Sequence, residues 1–168
     1  MPEMLENKIK LKKFDIYSFI IIIFAFGLDR ISKIYVINLI QNNDKEIYVN
    51  NILNITLNWN TGIGFGLLSL NAGIQYHIVS ALILLIIVYL IFLMTKGDIL
   101  EKFMFALIIG GAAGNLFDRL TYYAVPDFID FHIENYHWFT FNVADIFITI
   151  GIVFIILREI FFGRKYEQ

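Results

Sequence analysis

The sequence predicts an α-helical integral membrane protein with four transmembrane helices. A small β element should lie between helices 1 and 2, and a connector between helices 3 and 4, both on one face of the membrane. Three observations carry this expectation. Of 168 residues, 58% are hydrophobic and only 17% charged, where a soluble domain is about a quarter charged. No Asp, Glu, Lys or Arg occurs between residues 47 and 95, a gap that few water-facing surfaces could accommodate. Four apolar segments, 16–36, 77–94, 103–119 and 138–157, approach the length needed to cross a hydrocarbon core of about 30 Å. With no internal repeat, low-complexity segment or long linker, residues 1–168 read as one domain. The absence of cysteine excludes disulfides, thiolate-bound metals and a thiol nucleophile.

The first span follows Lys8, Lys10, Lys12 and Lys13, a basic run that also suits the start of a secretory signal. A small-residue cleavage site should then follow "FIIIIFAFG", but "LDRISK" stands there instead, so the segment reads as a retained span. Asp29 and Lys33 lie four apart on one helical face, acid first, the favourable order for an ion pair that neutralises itself near the interface. A Ser32–Lys33 catalytic dyad is disfavoured, because adjacent helical side chains point about 100° apart. Residues 46–68 mix Ile, Val, Tyr, Thr and Trp with Asn and Gly, the pattern of short strands and turns.

The second span has neither a charge nor a helix breaker. The third contains "GGAAGNLFDR", where Gly110 and Gly114 have the spacing of close helix–helix packing. Asn115, Asp118 and Arg119 follow on one face. Asp118 and Arg119 are expected to pair at the membrane surface, and Asn115 to hold a carboxylate or a substrate carbonyl. The fourth segment has Asp145 as its only charge, three residues after Asn142. A carboxylate at membrane depth costs roughly 2.5–3.5 kcal/mol on insertion scales, so it needs a compensating partner or a function.

Counting Lys and Arg in the loops sets the orientation. The side holding both termini has nine (Lys8, Lys10, Lys12, Lys13, Lys96, Lys102, Arg158, Arg164 and Lys165), and the other has four (Arg30, Lys33, Lys45 and Arg119). Both termini are therefore expected in the cytosol. The ends of spans one and three, the start of span four, and the connectors "NWNTGIGFG" and "VPDFIDFHIENYH" then share the outer face. The costly polar residues thus converge on one interface.

A structural carboxylate held by Asn142 and a basic group from another span would explain Asp145 alone. A second carboxylate nearby, Asp127 or Asp130, suggests more. Two carboxylates sharing one proton supply an acid and a base at once. The ionised one can deprotonate a water that attacks an amide carbonyl, and the protonated one can hydrogen-bond the carbonyl oxygen. Neither metal nor cofactor is required. His132, Glu134 and His137 are the rival metal set, but they lack HExxH spacing. On a helix His132 and His137 would diverge by about 140°, so no metal is expected. An ion or proton relay through Asp145 and Asp29 would need polar groups across the whole membrane, and spans two and four lack them toward the cytosol. A pure interaction subunit leaves the converging aspartates unexplained.

Five motifs in order, "DRISK" at 29–33, "NTGIGF" at 60–65, "GGAAGNLFDR" at 110–119, "VPDFIDF" at 125–131 and "FNVAD" at 141–145, make the chain resemble bacterial lipoprotein signal peptidase, the signal peptidase II family. Gly64 stands where that family more often has alanine. The resemblance implies an aspartic endopeptidase of the inner membrane, with its site at the periplasmic face. Its substrate would be a prolipoprotein bearing a diacylglyceryl cysteine, cleaved on the N-terminal side of that cysteine. It implies Asp127 and Asp145 as the catalytic pair. It further implies Asp29, Lys33, Asn60, Gly62, Asn115, Asp118, Arg119 and Asn142 as residues that shape the site or contact substrate. Membrane lipids and globomycin-type cyclic peptides are the other implied partners. The implied protein works as a monomer, without nucleic acid, cofactor or metal.

Overall fold

In the computed structural model, the described residues are 2–43, 46–62, 74–134 and 136–162. Lys45, Arg164 and Lys165 of the charge count, and residues 63–68 of the expected β element with Gly64 among them, lie outside these residues. So do the side chains of Lys8, Lys10, Lys12 and Lys13. The element order is α1 (Pro2–Asn43), β1 (Ile47–Asn50), β2 (Leu53–Asn60), α2 (Ile74–Lys96), α3 (Ile99–Tyr122), β3 (Val125–Ile133), β4 (Tyr136–Phe141) and α4 (Val143–Phe162).

The helix α3 is the centre of the bundle and packs against α1, α2 and α4. Its small residues permit this. A Cβ on Gly110 would fall 2.8 Å from the Ala25 Cβ of α1, and one on Gly111 would strike the Ala144 carbonyl of α4. Asp98 and Glu101 close a reciprocal capping box at the start of α3, and Tyr123 ends it in a left-handed conformation with φ 56°. At the same end of the bundle Arg158 of α4 bonds Asp98 and Glu101, and Lys102 pairs with Asp15 of α1.

Two stretches, Tyr76–Lys96 and Ile99–Tyr122, are long and apolar enough to cross a membrane. Only 11% of the first is buried inside the protein against 56% of the second, so α2 presents most of its length outward and packs through one stripe that includes Ile83, Ile87 and Leu90, while α3 is enclosed by its neighbours. The apolar runs of α1 and α4 are interrupted, by Asp29, Arg30 and Lys33 in one and by Asp145, Arg158 and Glu159 in the other.

The four strands form one antiparallel sheet in the order β1-β2-β3-β4. Here one expectation is extended and one is corrected. The segment 125–137, expected only as a connector, belongs to the sheet, because β3 pairs with β2 on one side and β4 on the other. The apolar run 138–157 is not one helix. Residues up to Phe141 belong to β4, whose "YHWFTF" is rich in the aromatic residues that favour strands, and α4 starts only at Val143. The strands β3 and β4 pair as far as Ile133 and Tyr136, and Glu134, directly after β3, has φ 54°, as the first position of the primed hairpin turns requires.

Candidate active site

Moving the start of α4 changes what Asp145 is. It lies in the first helical turn, and Asn142 precedes the helix. The Asn142 Oδ1 accepts from the Asp145 amide at 3.1 Å, and the Asp145 carboxylate accepts from the Asn142 amide at 3.2 Å. This reciprocal arrangement satisfies backbone donors that a helix start leaves open. A further amide of that turn, Ala144 N–H, donates to Asp29 of α1 at 3.0 Å. The Asp145 carboxylate also accepts from Asn115 Nδ2 at 2.8 Å.

Asp127 reaches the same place from β3. Its carboxylate accepts from Asn142 Nδ2 at 2.6 Å and from Asn60 Nδ2 at 2.9 Å. Asn142 therefore bonds both carboxylates, and both line one cavity of about 650 Å³ together with Asn60, Asn115, Arg119 and Asn142. Burial, followed by the Asp145 charge, pushes the Asp127 carboxyl up to about 6, against the opposing hydrogen bonds from Asn60 and Asn142. Apart from Thr149, the remaining wall is apolar, with Val125 of β3 and residues of three helices. It includes Ile83 and Leu90 of α2, Ile108 of α3, and Ile148 and Ile152 of α4.

Behind Asp145 is a buried cluster of charges. Lys33 Nζ donates to the carboxylates of Asp29 at 2.9 Å and Asp118 at 2.6 Å, and to Asn115 Oδ1 at 2.8 Å. Arg30 pairs with Asp118 at 2.6 Å and with Asp29 at 3.1 Å. Two anions meet two cations, and a chain of contacts runs from Lys33 through Asn115 to Asp145. The expected Asp118–Arg119 pair does not form. Adjacent helical residues face different directions, and Arg119 turns to the Gly62 carbonyl at 3.1 Å while Asp118 turns to α1. Gly62 is held in turn by its amide, which donates to Asn60 Oδ1 at 2.9 Å. The ten residues implied by the resemblance thus join one network around the cavity. Arg30 was not among them, although Asp29 and Asp118 outnumber Lys33 and so signal a second cation.

The aspartates at 127 and 130 go to different places. Asp130 does not line the cavity; its carboxylate lies 2.7 Å from His137 Nδ1. The helix-based reason for separating His132 and His137 also fails. They are partners across β3 and β4, and their rings stack with centroids 5.4 Å apart.

Hydropathy and fold together define an integral membrane protein. The family model for signal peptidase (SPase) II matches residues 21–161. The chain is 49% identical over 160 residues to a lipoprotein signal peptidase of Pelagibacter ubique (strain HTCC1062), covering 95% of this chain and 96% of that one. It is 40% identical over 151 residues to a lipoprotein signal peptidase of Francisella tularensis subsp. novicida (strain U112), covering 88% and 93% respectively. A bacterial membrane enzyme structure solved by the in meso method at 2.3 Å aligns with a TM-score of 0.70 at 27% identity, over 90% of this chain and 93% of that one. The chain belongs to the signal peptidase II family.

Proposed function

We propose that this protein is an aspartic endopeptidase of the bacterial inner membrane that removes the signal peptide from diacylglyceryl-modified prolipoproteins, cutting on the N-terminal side of the lipidated cysteine. One observation carries the proposal. Two carboxylates, from a strand and from a helix start, are joined through Asn142 and face a cavity that is polar around them, with Asn60, Asn115 and Arg119, and otherwise lined almost wholly by apolar side chains. An apolar signal helix can lie against α2, α3 and α4 while its scissile bond reaches the aspartates.

In this reading Asp127 and Asp145 share one proton. A water between them gives a proton to the ionised carboxylate and attacks the scissile carbonyl carbon. The protonated carboxyl hydrogen-bonds the carbonyl oxygen as charge develops there, and a proton then passes to the leaving nitrogen. Asn142 and Asn60 aim Asp127, and Asn115, backed by Lys33, aims Asp145. Arg119 and Gly62 shape the cavity rim. Asp29 and Asp118 hold Lys33 and the start of α4.

The chain crosses the membrane four times as a single unit and acts as a monomer, with both termini cytoplasmic. The sheet lies at the periplasmic interface, where exposed Tyr48, Trp59, Tyr136 and Trp138 suit the boundary between lipid and water. Globomycin-type cyclic peptides would compete for the same cavity.

The test is to make Asp127→Asn and Asp145→Asn separately and measure cleavage of a lipidated prolipoprotein. Each should lower turnover by about 10³-fold or more while the protein still inserts and folds. Undiminished cleavage in either variant would remove the pair from the mechanism.

A further inference from the structure

We propose that Asp130, His132 and His137 form a divalent-cation site of the zinc class on the β3–β4 hairpin, separate from the aspartate pair. The three residues place a carboxylate oxygen and two imidazole nitrogens within 4.8 Å of one another. The Asp130 carboxylate lies 2.7 Å from His137 Nδ1 and 3.8 Å from His132 Nδ1. Ligand atoms about 2.0–2.2 Å from a tetrahedral Zn²⁺ stand roughly 3.3 Å apart, so Asp130 needs a shift of well under 1 Å, while the stacked imidazoles, whose nitrogens lie within 4.8 Å of each other, must rotate to bring their in-plane lone pairs onto the ion. Among the described residues this is the one such group of His, Cys, Asp and Glu.

A second observation points to a ligand. His132 is 5% exposed, and its Nδ1 is buried with no hydrogen-bond partner, although the carboxylate lies just beyond bonding distance. Buried nitrogens are rarely left in this condition. A cation between His132 and Asp130 would satisfy it without moving the backbone. His137 is exposed and provides the route from solvent.

Strand geometry keeps this site apart from the aspartate pair. Alternation puts Asp130 and His132 on the face of β3 opposite Asp127, and none of the three lines the cavity. Two imidazoles with one carboxylate favour Zn²⁺ and its transition-metal neighbours over Mg²⁺ or Ca²⁺, which prefer all-oxygen shells. Since His137 belongs to β4 and the other two to β3, the bound ion would clip together the hairpin that carries Asp127.

The experiment uses full-length, tag-free protein in detergent, titrated with ZnCl₂ by calorimetry and with CoCl₂ by visible absorption. Expected are one equivalent per chain and a Co²⁺ spectrum with imidazole ligation. His137→Gln, at an exposed position, should weaken Zn²⁺ binding by at least about 10-fold, and Asp130→Asn should do the same. Asp127→Asn should leave it unchanged. The proposal is overturned by an absence of saturable binding, by unchanged affinity in His137→Gln, or by an equal loss in Asp127→Asn, which would move the ion to the aspartate pair. The readout is binding alone, so it stands or falls independently of the peptidase assay.

Discussion

Asp127 is 3% exposed and is held beside a second carboxylate. Its carboxyl moves from 3.8 in the unfolded reference to about 6 in the fold, so the folded state binds the proton more tightly than the unfolded one. Stability from this residue is therefore greatest below pH 4 and is lost as pH rises through 6. Roughly two units correspond to about 3 kcal/mol against the fold at neutral pH. Heat-unfolding midpoints of wild type and Asp127→Asn should thus diverge between about pH 4 and pH 6.5, with the variant gaining relative to wild type, and run parallel above that. A difference that stays constant across that range would show that the carboxyl is not perturbed. Spacing in the sequence could not choose between Asp127 and Asp130. The strand alternation of β3 separates them, sending one toward Asn142 and the other toward His137.

Close approach of α1, α3 and α4 is what brings Asp29 to the start of α4. Gly114 marks the tightest point, because a Cβ there would lie 3.0 Å from the Asp29 carboxyl carbon and nearer still to one oxygen. Gly114→Ala should displace Asp29 from the Ala144 amide, costing about 1–3 kcal/mol and lowering turnover through a shifted Asp145. If its turnover and unfolding midpoint match wild type, the helices have slack that the structure does not contain. Lys33→Met should cost more. It leaves Asp29 and Asp118 buried with Arg30 as their one remaining cation among the described residues, and breaking a buried ion pair costs roughly 3–5 kcal/mol. A loss below about 1 kcal/mol in chemical unfolding would show that the cluster is solvated. The small residues of α3 were legible as a packing face, since spacing on a helix is local. The strand β4 was not. Its apolar, aromatic residues read as the start of a span until a partner strand is supplied, and that pairing joins residues distant in the chain.

The whole molecule places its titratable site at one end of the bundle and its ion-paired helix termini at the other. The lack of native cysteines makes this testable by single-cysteine labelling in spheroplasts. Tyr136→Cys, on the exposed edge of the sheet, should react with a membrane-impermeant maleimide from outside. Lys96→Cys, at the end of α2, should react only after lysis. The reverse pattern would invert the topology and put the aspartates on the cytosolic face.

By itself the sequence determined the membrane character, the approximate helices, and the crowding of polar residues at their ends. Those properties depend on hydropathy and on three- and four-residue spacing, which act along the chain. Only the tertiary structure decided that residues 125–141 complete a sheet, that Asp145 lies at a helix start, that Arg30 rather than Arg119 pairs with Asp118, and that His132 meets His137. Each of these depends on which distant backbone lies alongside, a choice made by packing and hydrogen-bond pairing across the fold.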